Sequence, residues 1–172
     1  MSSTTLQRFT ESTVRRIDVV LPQPYEAAVR QFEEVVPPAD QSRFRRLGTW
    51  DAVRELAEIN APHGLMSYWK ADVTGLMATS PSGWKCVEYL VGNHVVAQRM
   101  FHHDPAAMLH APMRMVLYAD AAGRTHLTLD RPSDLFASYG NPAITQVGEH
   151  LDGLVADLLD LLGAPVPEGL RP

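Results

Sequence analysis

The sequence predicts a two-layer α+β domain, with helices packed on a mostly antiparallel sheet. Three observations carry this. Met113–Ala119 and residues 124–130 are β-rich runs on either side of a short Gly-containing turn, so they form a hairpin and pair antiparallel. Strand-like and helix-like stretches are mixed without the strict alternation of a parallel sheet. Ile144, Val147, Leu151, Leu154, Val155, Leu158, Leu161 and Leu162 recur at helical spacing, giving one long apolar stripe that needs a layer to lie on.

The elements follow in order. Residues 14–21 (VRRIDVVL) read as a strand that Pro22 and Pro24 end. Pro24 suits a first helical position, where its missing N–H has no helical partner. Tyr25, Ala28, Val29, Phe32, Val35 and Val36 give that helix its stripe, and Pro37-Pro38 stop it. Residues 39–48 are a polar connection that Phe44 and Leu47 anchor or turn into a short strand. Thr49 caps a helix over Trp50–Asn60, with Trp50, Val53, Leu56 and Ala57 inward. Residues 65–79 read as a long β-rich stretch, with Gly75 marking a bulge or a strand end. Leu65, Ser67, Trp69, Ala71 and Val73 share one face, and Met66, Tyr68, Lys70, Asp72 and Thr74 the other. After a turn at 80–83 comes a strand at 84–91. Gly92-Asn93 then start a helix that Asp104-Pro105 break. Residues 132–139 are a loop or short helical turn. The terminal helix begins near Pro142 and stops at Gly163. The layout is a flexible segment 1–13, one domain over 14–163, and a flexible Pro/Gly-rich tail 164–172.

The central stretch resembles the family called domain of unknown function 302. Gly92-Asn93, Ala97, Pro112, Arg114, Val116, Tyr118, Gly123 and Pro132 carry the resemblance, which spans residues 14–162 and is strongest over 88–160. It implies a compact two-layer α+β domain, often dimeric, with no established common activity. Two departures stand out. The family often has Leu-Pro-Cys where this chain has Ala111, Pro112 and Met113, so thiol chemistry there is absent. It often has Pro after Gly-Asn, where this chain has His94.

Composition narrows the function. A chain of 172 residues is long enough to bury a sizeable core. Its formal charge of -5 comes with no basic patch dense enough to track a phosphate backbone, so no nucleic-acid partner is expected. Arg43, Arg45 and Arg46 are the one short basic cluster, read as a solvated turn. Cys86 is the only cysteine, which excludes an internal disulfide and a cysteine-rich zinc site. The N-terminal stretch lacks the apolar run of a signal peptide, and no apolar run suits a membrane span. A cytoplasmic protein without a membrane partner is expected.

Chemistry concentrates in two places. His102, His103, Met108, His110, Met113 and Met115 form a His/Met cluster. His102 and His103 point about 100° apart on a helix, so one helical face does not present both to one ion. His103 and His110 can converge across the Asp104-Pro105 turn as acid–base groups. Tyr68 and Asp72, on the polar face of the long strand, are their candidate partners. An apolar pocket lined by Trp69, Trp84, Met100 and Met115, with the helix start at Asn93 as an anion or cap site, is the candidate ligand site. No GxSxG, GxGxxG or P-loop pattern is present.

The expected function is binding of a small apolar or amphipathic metabolite by a homodimer, with no cofactor and no metal. A metal-independent isomerase, lyase or cyclase using His acid–base chemistry is the alternative. A metal or haem protein built on the His/Met cluster is the second alternative.

Overall fold

The computed structural model describes residues 9–171. The expectation of a loosely ordered N-terminus falls, for residues 1–8, outside the described residues. Five strands form one fully antiparallel sheet in the order β1-β5-β4-β3-β2: β1 is Arg16–Leu21, β2 Met66–Asp72, β3 Cys86–Gly92, β4 Met113–Ala119 and β5 Thr125–Asp130. The helices are α1 (Tyr25–Val35), α2 (Gln41–Phe44), α3 (Trp50–Asn60), α4 (Val73–Leu76), α5 (His94–Phe101), α6 (Pro132–Ala137) and α7 (Pro142–Leu161), with a 3-10 segment at Pro105–His110. The two-layer α+β class holds. Among the described residues, no helix is long and apolar enough to cross a membrane.

Alternation along the strands builds the core. Ile17, Val19 and Leu21 of β1, Leu127 and Leu129 of β5, Met113, Met115 and Leu117 of β4, and Val87, Tyr89 and Val91 of β3 face one side. Phe32 of α1 and the stripe of α7 close over them in a single cluster. The Phe32 and Tyr89 rings lie 4.7 Å apart. In α7 the inward positions are Ile144, Val147, Leu151, Val155, Leu158 and Leu159, followed by Leu162 at its C-terminal cap. Leu161 instead points out at 40% exposure, because the 100° step per residue gives its place to Leu159.

A buried ion pair fastens α7 to α6. Asp152, 2% exposed, accepts hydrogen bonds from Arg131 Nε at 2.7 Å, the Ser133 hydroxyl at 2.6 Å and the Ser133 N–H at 2.9 Å. The two helices touch so closely that a Cβ on Gly148 would stand 2.9 Å from Ser133 Cα, which explains glycine mid-helix.

Three expectations change. The strand expected over 65–79 ends at Asp72, whose carboxylate caps α4 by accepting from Gly75 N–H at 3.1 Å. The register also slips between Ser67 and Trp69 through a bulge. Beyond it, Lys70 sits opposite Tyr89 on the helix-covered side, ion-paired to Glu33, while Trp69 and Ala71 turn to the other face. The expected single polar face is thereby split. Second, residues around Phe44 form the short helix α2, capped by the Asp40 side chain, rather than a strand. Third, the tail over 164–171 is packed: Ala164 and Leu170 are buried, Gly169 C=O accepts from Arg131 at 2.7 Å, and Arg171 pairs with Asp157 and Asp160.

Candidate functional site

The free edge of β2 organises the site. Pro37–Pro38–Ala39 lie along it, with Ala39 N–H donating to Ser67 C=O at 2.8 Å and Ser67 N–H to Pro37 C=O at 2.9 Å. Asn60, at the end of α3, holds this segment through Asp40 N–H at 2.8 Å and Pro38 C=O at 3.0 Å. Gln41 donates to the Tyr68 carbonyl at 2.8 Å. These bonds set α2 and the start of α3 beside the bulge in β2. Tyr68 stands in that bulge, where the strand's alternation is interrupted and a side chain can be re-aimed. It turns to the N-terminus of α5.

There Tyr68 meets His94, the first residue of α5. The His94 backbone N–H donates to the Tyr68 oxygen at 2.9 Å. The same oxygen lies 2.7 Å from Nδ1 of His94, within hydrogen-bond reach. With the hydroxyl as donor, Nδ1 accepts and the ring proton of the neutral imidazole sits on Nε2. Burial lowers the pKa of His94 and pushes that of Tyr68 up to about 12. Both shifts favour the neutral imidazole and the neutral phenol. Among the described residues, Nε2 has no hydrogen-bond partner. Asn93 caps the helix, accepting from Val95 N–H at 3.0 Å and donating to Gly64 C=O at 3.1 Å. This fixes where His94 starts.

Aromatic rings surround the pair. Phe44 lies edge-on to His94 at 4.3 Å between centroids, Trp50 at 6.4 Å and Tyr68 at 6.1 Å. With Gln41, Arg45 and Val53 they line a cavity of about 290 Å³. No carboxylate lines it, and Arg45 is its one permanently charged group.

Of the residues singled out from sequence, Tyr68 and Asn93 are at or next to this cup. His110 is turned inward between the rings of Phe136 and Tyr139, at 6.1 and 6.0 Å. Burial lowers its pKa against an opposing pull from Asp130. It lines two adjoining clefts of about 440 and 460 Å³. His103 lines neither; it stays exposed with its ring 5.2 Å from His102, so the structure does not bring His103 and His110 together. Asp72 is engaged as the α4 cap. Trp69 and Trp84 are 48% and 53% exposed, whereas Met100 and Met115 are fully buried. These four do not surround one cavity, because the bulge sends Trp69 to the open face while the methionines fill the core. Among the described residues, no three His, Cys, Asp or Glu side chains converge as a metal-ligand set.

A second polar cluster, unmarked in the sequence reading, lies on the open sheet face. His126, 9% exposed, has Nδ1 3.3 Å from Asp18 and Nε2 3.1 Å from Asp120, and it stacks on Tyr118 at 4.8 Å. Burial tends to raise the Asp120 pKa. Hydrogen bonds from the Arg124 backbone, His126, the Arg124 side chain and Ala122 N–H outweigh it and hold the carboxyl well below the usual range. Strand pairing brings these residues together, since Val20, His126 and Tyr118 are cross-strand neighbours.

No curated protein matches the chain. The crystal structure of an uncharacterized conserved DUF302 protein from Bacillus stearothermophilus superposes with a TM-score of 0.64 at 16% identity, over 86% of this chain and 97% of that one. At that identity the likeness is one of fold. The family model described as "Domain of unknown function DUF302" matches residues 41–161, which include α2, the bulge in β2 and His94. The chain belongs to the DUF302 family.

Proposed function

We propose that this domain binds a small apolar or amphipathic molecule in the cup formed by Phe44, Trp50, Val53, Tyr68 and His94. The observation that carries this reading is the Tyr68–His94 pair, which presents one oriented, neutral Nε2–H donor among aromatic walls. An apolar concavity with a few fixed polar groups is the usual make-up of a small-molecule site. A cavity of about 290 Å³ suits one or two rings. Binding is favoured over the isomerase or lyase reading because no Asp or Glu lines the cup, and the free ring nitrogen already bears its proton. Proton abstraction there would lack a base. A cytoplasmic setting fits the single, unpaired Cys86.

Calorimetric titration with the neutral probe 2-naphthamide tests this. Saturable one-to-one binding without turnover is expected. Trp50→Ala removes a wall that is 44% exposed, so it should weaken binding at least about tenfold with little change in melting. Protonating Nδ1 would displace the Tyr68 hydroxyl proton and put charge in an apolar cup. With the His94 pKa lowered by burial, affinity should hold at neutral and alkaline pH and fall as acidification passes below the ordinary histidine range. Equal binding by wild type and Trp50→Ala would put the ligand elsewhere.

A specific feature also supports the homodimer. Arg16, Asp18, Val20, Trp69 and Arg114 are exposed on the open sheet face. Several of its polar groups are matched within the chain: Arg16 pairs with Asp130, Arg114 with Glu88, and the His126 ring contacts Asp18 and Asp120. Trp69, Ala71, Leu90 and Val116 remain between these pairs as an apolar strip. Such a face suits a two-fold partner of the same kind. Light scattering at high micromolar concentration should give twice the 19.0 kDa of one chain, and Trp69→Glu should give the monomer. Wild type at 19.0 kDa would contradict this.

A further inference from the structure

We infer that the ligand of the cup is an aromatic carboxylate, held through its anion by Arg45. This rests on the cup being a binding site and adds the charge class of what it takes. The chain is acidic, with a formal charge of -5, yet its one basic cluster, Arg43, Arg45 and Arg46, stands on α2 and the turn after it. That same segment supplies Gln41, Phe44 and Arg45 to the cup. Other basic side chains in the fold are commonly neutralised: Arg15 by Asp134, Arg114 by Glu88, Arg131 by Asp152, Lys70 by Glu33. None of Arg43, Arg45 and Arg46 is ion-paired with a described carboxylate.

Asp40 is the neighbouring acid. Its carboxylate caps α2, accepting from the Arg43 backbone at 3.0 Å and the Ser42 hydroxyl at 2.9 Å, and makes no ion pair with these guanidinium groups. Gln41 Oε1, 3.3 Å from Arg45 Nη2, steadies the guanidinium at the cup. A guanidinium matches a carboxylate with two parallel hydrogen bonds, and a flat ring stacks on Trp50 and Phe44 at low entropic cost. His94 Nε2–H adds a neutral donor for a ring substituent. The concavity of about 290 Å³ has room for one or two fused rings.

The test compares 2-naphthoate with its neutral isostere 2-naphthamide by calorimetry on the full chain. Naphthoate should bind about tenfold more tightly, and this preference should shrink as salt is raised. Arg45→Gln should erase the preference for naphthoate over the amide, together with its salt dependence. Equal affinities in wild type, or a preference that survives Arg45→Gln, would overturn the anion assignment while amide binding still upholds the cup. Failure of both probes to bind would overturn the cup and the anion assignment together.

Discussion

Ending the chain at Gly140 should abolish cooperative folding. The truncation removes α7, whose Ile144, Val147, Leu151, Val155, Leu158 and Leu159, with Leu162 just beyond it, are each less than 5% exposed. Full burial of such a side chain contributes about 1.5–3 kcal/mol, so the set contributes on the order of 10 kcal/mol or more. A domain of this kind is stable by only about 5–15 kcal/mol. The cut also strips Arg131 and Ser133 of Asp152. Circular dichroism of a 1–140 fragment should show no sigmoidal melt. A soluble fragment with one would mean that the sheet and α1 form an independent core.

Asp152→Ala should be the most damaging single substitution at a polar position. Asp152 is nearly inaccessible, and its two oxygens take three donors. Removing it leaves the Arg131 guanidinium, 18% exposed, without its counter-charge, and leaves the Ser133 N–H and hydroxyl without an acceptor. Breaking one side of a buried pair costs about 3–5 kcal/mol. For a chain of this length that lowers Tm by roughly 10 °C or more. Arg131 also holds the tail through Gly169, so protease cleavage near Leu170 should rise in parallel. A melting shift of under about 2 °C would mean that the pair is close to neutral and that Arg131 finds solvent instead.

Local signals in the sequence located much of this fold. Thr49 and Asn93 cap α3 and α5 as their side chains allow, Asp104-Pro105 end α5, and the turn before Thr125 joins β4 to β5. Each rests on neighbouring residues alone. The bulge at Tyr68 does not. It arises from pairing with β3 across more than twenty residues of chain, and strict alternation therefore put Tyr68 beside Lys70 and Asp72 on one face. The tail failed for a related reason: Pro and Gly mark irregular backbone, whereas its packing depends on Leu170 and on a distant Arg131. The cup joins Phe44, Trp50, Tyr68 and His94 from separate elements, so no spacing rule gathers them. Two local marks were present. His94 stands where the family resemblance often has proline, and the basic cluster interrupts an otherwise acidic chain.

The most direct measurement is an NMR titration of the labelled protein with the neutral probe 2-naphthamide. Binding in the cup predicts that amide shifts concentrate on Gln41, Phe44, Trp50, Val53, Tyr68 and His94, with the His94 imidazole keeping its proton on Nε2. Shifts concentrated instead on Met108, His110 and Arg114, or none at saturating probe, would contradict it.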